Sequence, residues 1–406
     1  MNDTRSSMGR AEFIGVAAGA LLTAASGRLA PALARPRAAS WQEGRKVLFV
    51  TVDGFGPDYL QQSDMPNLKR MMAAGAYAEG MSVIPSVTNV NNASVVTGTF
   101  PDEHGITGNY YYDRVAGTGT FMESPEFLLR STMFEEARRR RIRSAFVTSK
   151  QKLMFLSRGA DFADSAESPT PDLASVIGPA QDVYSADINF WTLRAARHFL
   201  GERGCQLVYV ATTDYMMHTY PPEDERSQAH LHTLDELLGQ IVNDHPNIEV
   251  YLTADHSMSA KRDAIDIGRV LEAEGIPGEA VPIIRDRYVA HHSNLGGACY
   301  VYLEREADVD SAFALLAEVP GVERIYRKAD AAREFQLQPE RIGDIFLLGE
   351  RPVVFGSLPE TREEVDIRSH GSLHEQAVPI VCYGRPVDAS RYRRNVDLAR
   401  NFEWEV

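Results

Sequence analysis

The 406-residue sequence predicts an α/β fold, a doubly wound and mostly parallel sheet with a smaller α+β cap inserted into it. Three observations predict it. Apolar runs such as KVLFVTVDG (46–54) are continuous, as in parallel strands buried on both faces. Such runs alternate with stretches of helical spacing, which places helices on both sides of the sheet. From 264 to 348 the texture shifts to shorter, mixed segments.

The elements follow in chain order. Residues 1–34 read as an export signal: FIGVAAGALLTAA (13–25) is too short to span a bilayer, Arg5 and Arg10 precede it, and ALA (32–34) fits a cleavage site. MGRAEFIG resembles a twin-arginine signal with one arginine missing. A periplasmic or secreted location follows if the segment is used, a cytoplasmic one if it is not. Residues 35–44 would be a linker, and 45–263 the first part of the core. There MPNLKRMMAAGA (65–76) has helical spacing and a glycine stop, and IPSVTNVNNASVVTG (84–98) is an irregular segment entering a short helix. IRSAFVTS (142–149), QLVYVATTD (206–214) and IEVYLTADHS (248–257) read as strands, with helices at 191–204 and 227–245 between them. The cap comprises 264–348, and 349–406 returns to the core, ending in one more strand near VPIVCYG.

A net charge of −14 argues against a nucleic-acid binder held by phosphate contacts, though one cleft can still attract a small anion. Cys205, Cys299 and Cys382 lie far apart without a CxxC, so they read as small apolar core residues. One disulfide and a homodimer both stay open, and no run is long enough for a membrane span.

Three strands end in acid: Asp53, Asp214 and Asp255. Open α/β sheets bind ligands at the carboxyl ends of their strands, so these can converge. Each alone is an ordinary turn residue. The histidines add to them: DYMMH sets Asp214 and His218 at i and i+4, ADHS supplies His256, and RSHGS supplies His370. Nitrogen and carboxylate ligands without thiolate suit zinc, with manganese or iron also compatible, and the set is large enough for two ions. His198, His230, His232 and His245 are expected at the surface. His104 is expected to order a loop and His374 to lie behind a ligand, while His291 and His292 belong to the cap.

VTVDGFGPDYL, PSVTNVNNASVVTGTFPDEHGITGN, TTDYMMH, TADHSM and RSHGS together resemble the nucleotide pyrophosphatase/phosphodiesterase branch of the alkaline phosphatase superfamily. The resemblance runs from 46 to about 382. It implies an alkaline-phosphatase-like core with two zinc ions, one bound by Asp214, His218 and His370, the other by Asp53, Asp255, His256 and Thr88, the nucleophile. HGITGNYYYD, VTSKQKL, RIGDIFLLG and RSHGSLHEQAVP resemble the phosphonoacetate-cleaving members of that branch. By that likeness Lys150 and Lys152 hold a substrate carboxylate, Asn109 contacts the phosphoryl group, and the reaction hydrolyses a carbon–phosphorus bond. A phosphodiesterase or nucleotide pyrophosphatase acting on an oxygen-linked ester is the alternative. Ser257 and Ser372 depart from the pattern, which usually has glycine there. The lysine pair is also notable by itself. Only six lysines occur, so 42 − 6 leaves 36 arginines, and two of the six lie two apart just beyond a strand, where both can point the same way.

Overall fold

The computed structural model describes residues 41, 42, 44–114 and 116–405, so the expected export signal and most of the linker lie outside the described residues. The main sheet has seven strands in the order Ala76–Met81, Ala377–Tyr383, Ile248–Thr253, Lys46–Thr51, Leu207–Ala211, Ser144–Thr148 and Phe162–Ser165. The last five run parallel, while Ala377–Tyr383 is antiparallel to both its neighbours. Both faces are apolar, which explains the continuous runs: Val47 and Phe49 enter one core, Leu48 and Val50 the other. The helices Pro66–Ala74, Asp187–Leu200 and Glu225–Asp244 cover the second face. Among the described residues no helix is long and apolar enough to cross a membrane.

The region expected as a cap forms a four-stranded antiparallel sheet, Gly278–Pro282, Ala298–Leu303, Ile345–Gly349 and Val322–Arg327. Its strands divide with period two. Ala298, Tyr300, Tyr302, Phe346 and Leu348 join the main core, whereas Cys299, Val301, Leu303, Ile345 and Leu347 face a separate cluster with helix Val309–Ala317. A third sheet crosses both sequence boundaries: Ser259–Ile265 pairs with Val353–Phe355 and with Arg362–Ser369. All three cysteines are buried free thiols.

Chain direction decides where the site lies. Parallel strands send their carboxyl ends to one edge, and the antiparallel Ala377–Tyr383 starts there, so the loop before it, with His370, reaches the same edge.

Candidate active site

Register sets the strand-end acids side by side. Thr51 lies level with Ala211 on one flank and Thr253 on the other, so Asp53 and Asp255 stand level two residues later. Gly54 turns the chain at φ +73°, where a Cβ would come within 3.1 Å of the Cβ atoms of Asp214 and Met217. Asp214 opens helix Tyr215–Thr219 and His218 follows one turn on, its Nε2 3.0 Å from Asp214 Oδ2. His370 Nε2 lies 3.6 Å from the same oxygen, and His256 Nε2 lies 3.2 Å from Asp53 Oδ1. Ser369 pairs with Ser259, which brings His370 over His256, their rings stacked at 3.4 Å.

Each of the three histidines has its Nδ1 within hydrogen-bond distance of a backbone carbonyl: Arg368 for His218 (2.6 Å), Ser257 for His256 (3.0 Å) and Ser86 for His370 (2.8 Å). A carbonyl only accepts, so Nδ1 donates and each Nε2 is turned toward the acids, the arrangement that orients imidazole ligands around a metal. His218 Nε2, His256 Nε2 and Asp53 Oδ1 are buried and make no hydrogen bond. Unpartnered buried atoms cost folding energy unless something satisfies them. Two groups have ligand spacing, Asp214–His218–His370 and Asp53–Asp214–His256. The residues therefore fit bound cations.

The second group holds Asp53 and His256 of the expected set together with Asp214. Asp255 Oδ1 accepts from the Gly54 and His256 amides, and its Oδ2 from Asn92. Burial and the neighbouring Asp53 push Asp255 up to about 8. Burial also opposes ionisation of Asp214, but Lys150 and then His218 hold it well below the usual carboxylate range. Against its own burial, His256 is raised to about 9 by Asp255 and Asp53, a measure of how strongly this corner attracts positive charge.

Thr88 begins the ten-residue helix Thr88–Thr97 and is 2% exposed. The asparagines around it form a scaffold. Asn91 binds Val83 N and the carbonyls of Val83, Pro85 and Val87, which fixes the approach to Thr88. Asn92 links the Thr88 carbonyl to Asp255 and accepts from Tyr209. The Ser86 hydroxyl donates to Ser372 O, and the Ser94 hydroxyl to Val90 O, so both are engaged structurally. His104 receives Ile106 N and contacts Ser94, ordering its loop.

Lys150 and Lys152 are both buried at the cluster, but they diverge. A 3₁₀ turn starts at Gln151 in place of extended chain. Lys150 Nζ lies 2.8 Å from Asp53 and 2.7 Å from Asp214, among the candidate ligands themselves. Lys152 Nζ meets Asp286 Oδ2 at 2.5 Å. Asn109 Nδ2 lies 3.3 Å from that same oxygen. Asp286 was not foreseen; an aspartate in a loop carries no signal until its partners are known. His291 and His292 do reach the cleft, His291 Nε2 lying 3.8 Å from Asp214 and His292 Nε2 3.1 Å from Asp286. His374 instead pairs with Glu323, and His230 is buried, not at the surface as expected.

The two unusual serines have accommodating neighbours. A Cβ on Gly56 would lie 2.7 Å from Ser257 Cβ, and one on Gly297 2.8 Å from Ser372 Cβ. The Ser372 hydroxyl donates to Glu375 and caps the short turn after His370.

The chain belongs to the type I phosphodiesterase / nucleotide pyrophosphatase family, whose model matches residues 47–373. It has the alkaline-phosphatase-like fold of that branch. Among solved structures it is similar to phosphonoacetate hydrolase from Sinorhizobium meliloti 1021 in complex with phosphonoacetate. The TM-score is 0.82 at 30% identity, covering 90% of this chain and 96% of that one. Murine ectonucleotide pyrophosphatase/phosphodiesterase 5 shares the fold at TM-score 0.64 and 16% identity, over 87% of this chain and 93% of that one. Murine bis(5'-adenosyl)-triphosphatase is 25% identical over 256 residues, 56% of this chain and 50% of that protein. The chain spans about half the length of the curated relatives it matches.

Proposed function

We propose that this chain hydrolyses the carbon–phosphorus bond of phosphonoacetate, giving acetate and phosphate. The observation that carries the reading is the pair of buried ammonium groups, Lys150 and Lys152, beside the acid–histidine cluster. The 30% identity to phosphonoacetate hydrolase over nearly the whole described chain supports it. Two divalent cations, zinc in this reading, would be held by Asp214, His218 and His370 and by Asp53, Asp255, His256 and Thr88. When bound they supply the positive charge that lowers the hydroxyl pKa of Thr88 and polarises the phosphoryl oxygens.

Thr88 Oγ1 attacks phosphorus as the P–C bond breaks, and its electron pair passes to the methylene carbon and on into the carboxylate. Thr88 Oγ1 gives up its proton on attack, and the carbon takes one in exchange to become acetate. Water next splits the threonine phosphate, forming phosphate and restoring the Thr88 hydroxyl. The Thr88 helix directs its first N–H groups and positive dipole end toward the anion. Charge grows on the carboxylate as carbon leaves, so a lysine there binds the transition state more strongly than the substrate. One charge pair near 4 Å is worth roughly 4 kcal/mol at an effective dielectric of about 20.

The test is phosphate release from phosphonoacetate by the purified protein, with chelator and zinc add-back, beside Thr88→Ala. Release that chelator abolishes, zinc restores and Thr88→Ala loses is expected. Zinc-restored hydrolysis of a nitrophenyl nucleotide diester, with none of phosphonoacetate, would refute the reading in favour of a phosphodiesterase, the activity that the family's name suggests.

A further inference from the structure

The loop from Pro282 to Ala298 folds across the acid–histidine cluster, and Asp286 is its fixed point. Asp286 Oδ1 accepts from the Tyr288 amide at 2.8 Å and meets His292 Nε2 at 3.1 Å, which shapes the loop itself. Its Oδ2 reaches out of the loop to Lys152 and Asn109. Lys152 is thereby paired with a carboxylate of the protein's own, with both side chains almost wholly buried. Beside them a cavity of about 520 Å³, lined by Lys152, Phe155, Glu167, Tyr184, Arg287 and Tyr288, opens toward solvent.

We propose that Asp286 is a built-in competitor for the substrate carboxylate. It holds Asn109 and also Lys152, one of the two lysines on which the proposed function rests, and a ligand carboxylate gains Lys152 only by displacing it. The inference rests on that reading. A tethered carboxylate competes at high effective concentration, so a ligand anchored at one point loses to it. A ligand whose phosphonate is also held beside Thr88 can win. Specificity then comes from what is refused as much as from what is bound. The same competition expels acetate, which keeps a carboxylate but has lost its phosphonate anchor.

Calorimetry in a Thr88→Ala background, where ligand is not consumed, tests this with Asp286→Asn. Asparagine keeps an oxygen for the Tyr288 amide and puts an uncharged NH2, which cannot accept from Lys152 or Asn109, where Oδ2 was. The second substitution should tighten phosphonoacetate about tenfold and change methylphosphonate by less than twofold. Unchanged or weaker phosphonoacetate binding overturns the proposal. If Thr88→Ala still prefers phosphonoacetate to methylphosphonate in that case, the proposed function stands. Equal affinity of Thr88→Ala for both ligands would sink the proposed function and this inference with it. Hydrogen exchange in Thr88→Ala, with Asp286 intact, covers failure of the second variant to fold. Saturating phosphonoacetate should speed exchange of the 286–295 amides; slowed or unchanged exchange overturns the displacement.

Discussion

Removing Lys261 should destabilise the chain and loosen the candidate metal ligands together. Lys261 and Glu375 are both fully buried, with Nζ 2.8 Å from Oε1 and a second contact from Nζ to Arg351 O. Glu375 also accepts from the Ser259 hydroxyl and from the amide and hydroxyl of Ser372. Its own carbonyl accepts from Ser257 N, so one residue ties the neighbours of His256 and His370. At 2.8 Å the pair's attraction is about 6 kcal/mol for an effective dielectric of about 20, most of which offsets desolvation. Lys261→Met leaves the carboxylate buried with three hydrogen bonds and no cation, and such losses run to about 3–5 kcal/mol. Urea unfolding at pH 7.5 should show that loss, and chelator competition should show weaker zinc retention. The double variant Lys261→Met/Glu375→Gln should lose at least about 2 kcal/mol less than the sum of the single losses. A single-variant loss under about 1 kcal/mol, or strict additivity, would refute the reasoning.

Two further outcomes are expected. Lys152→Ala should reduce phosphonoacetate hydrolysis by about 10–100-fold while sparing an aryl phosphate ester, whereas Lys150→Ala should lower both, because it faces the candidate ligands Asp53 and Asp214; steady-state rates on the two substrates decide, and equal selectivity in both variants refutes the split. Burial pushes His230 down to about 3, below its ordinary 6.5. The unfolded chain therefore takes the proton more readily below 6.5, and stability present above that pH is lost as pH falls toward 3. Each such group removes about 2 kcal/mol between pH 8 and pH 5, so His230→Met should shrink the measured stability difference by that amount, and an unchanged difference would refute it.

What was legible in the sequence was local. Strand-end acids, the i to i+4 pair and the continuous apolar runs each announce themselves within ten residues, and the sheet's direction then brings them together. His230 was misread although its signal was present. Positions 230, 234, 237 and 241 form one buried stripe of Glu225–Asp244, and His230 lies on it against Phe190. The third sheet was missed because Ser259–Ile265 finds its partners some 90 or more residues later, across the boundaries drawn at 264 and 348.

The lysine pair shows how a correct local observation acquires the wrong geometry. A KxK beyond a strand points both side chains the same way only while the chain stays extended. Here Lys150 caps a 3₁₀ turn that begins at the next residue, and the two ammonium groups separate. Lys150 goes to Asp53 and Asp214, where three aspartates crowd together and a fixed positive charge relieves their repulsion. Lys152 goes instead to Asp286, in the loop between Gly278–Pro282 and Ala298–Leu303. In the proposed function one lysine thus belongs with the machinery that any phosphoryl substrate would use. The other is placed where only a substrate bearing a second anion has a reason to reach, and this divergence makes the pair of substitutions a sharper probe than either alone.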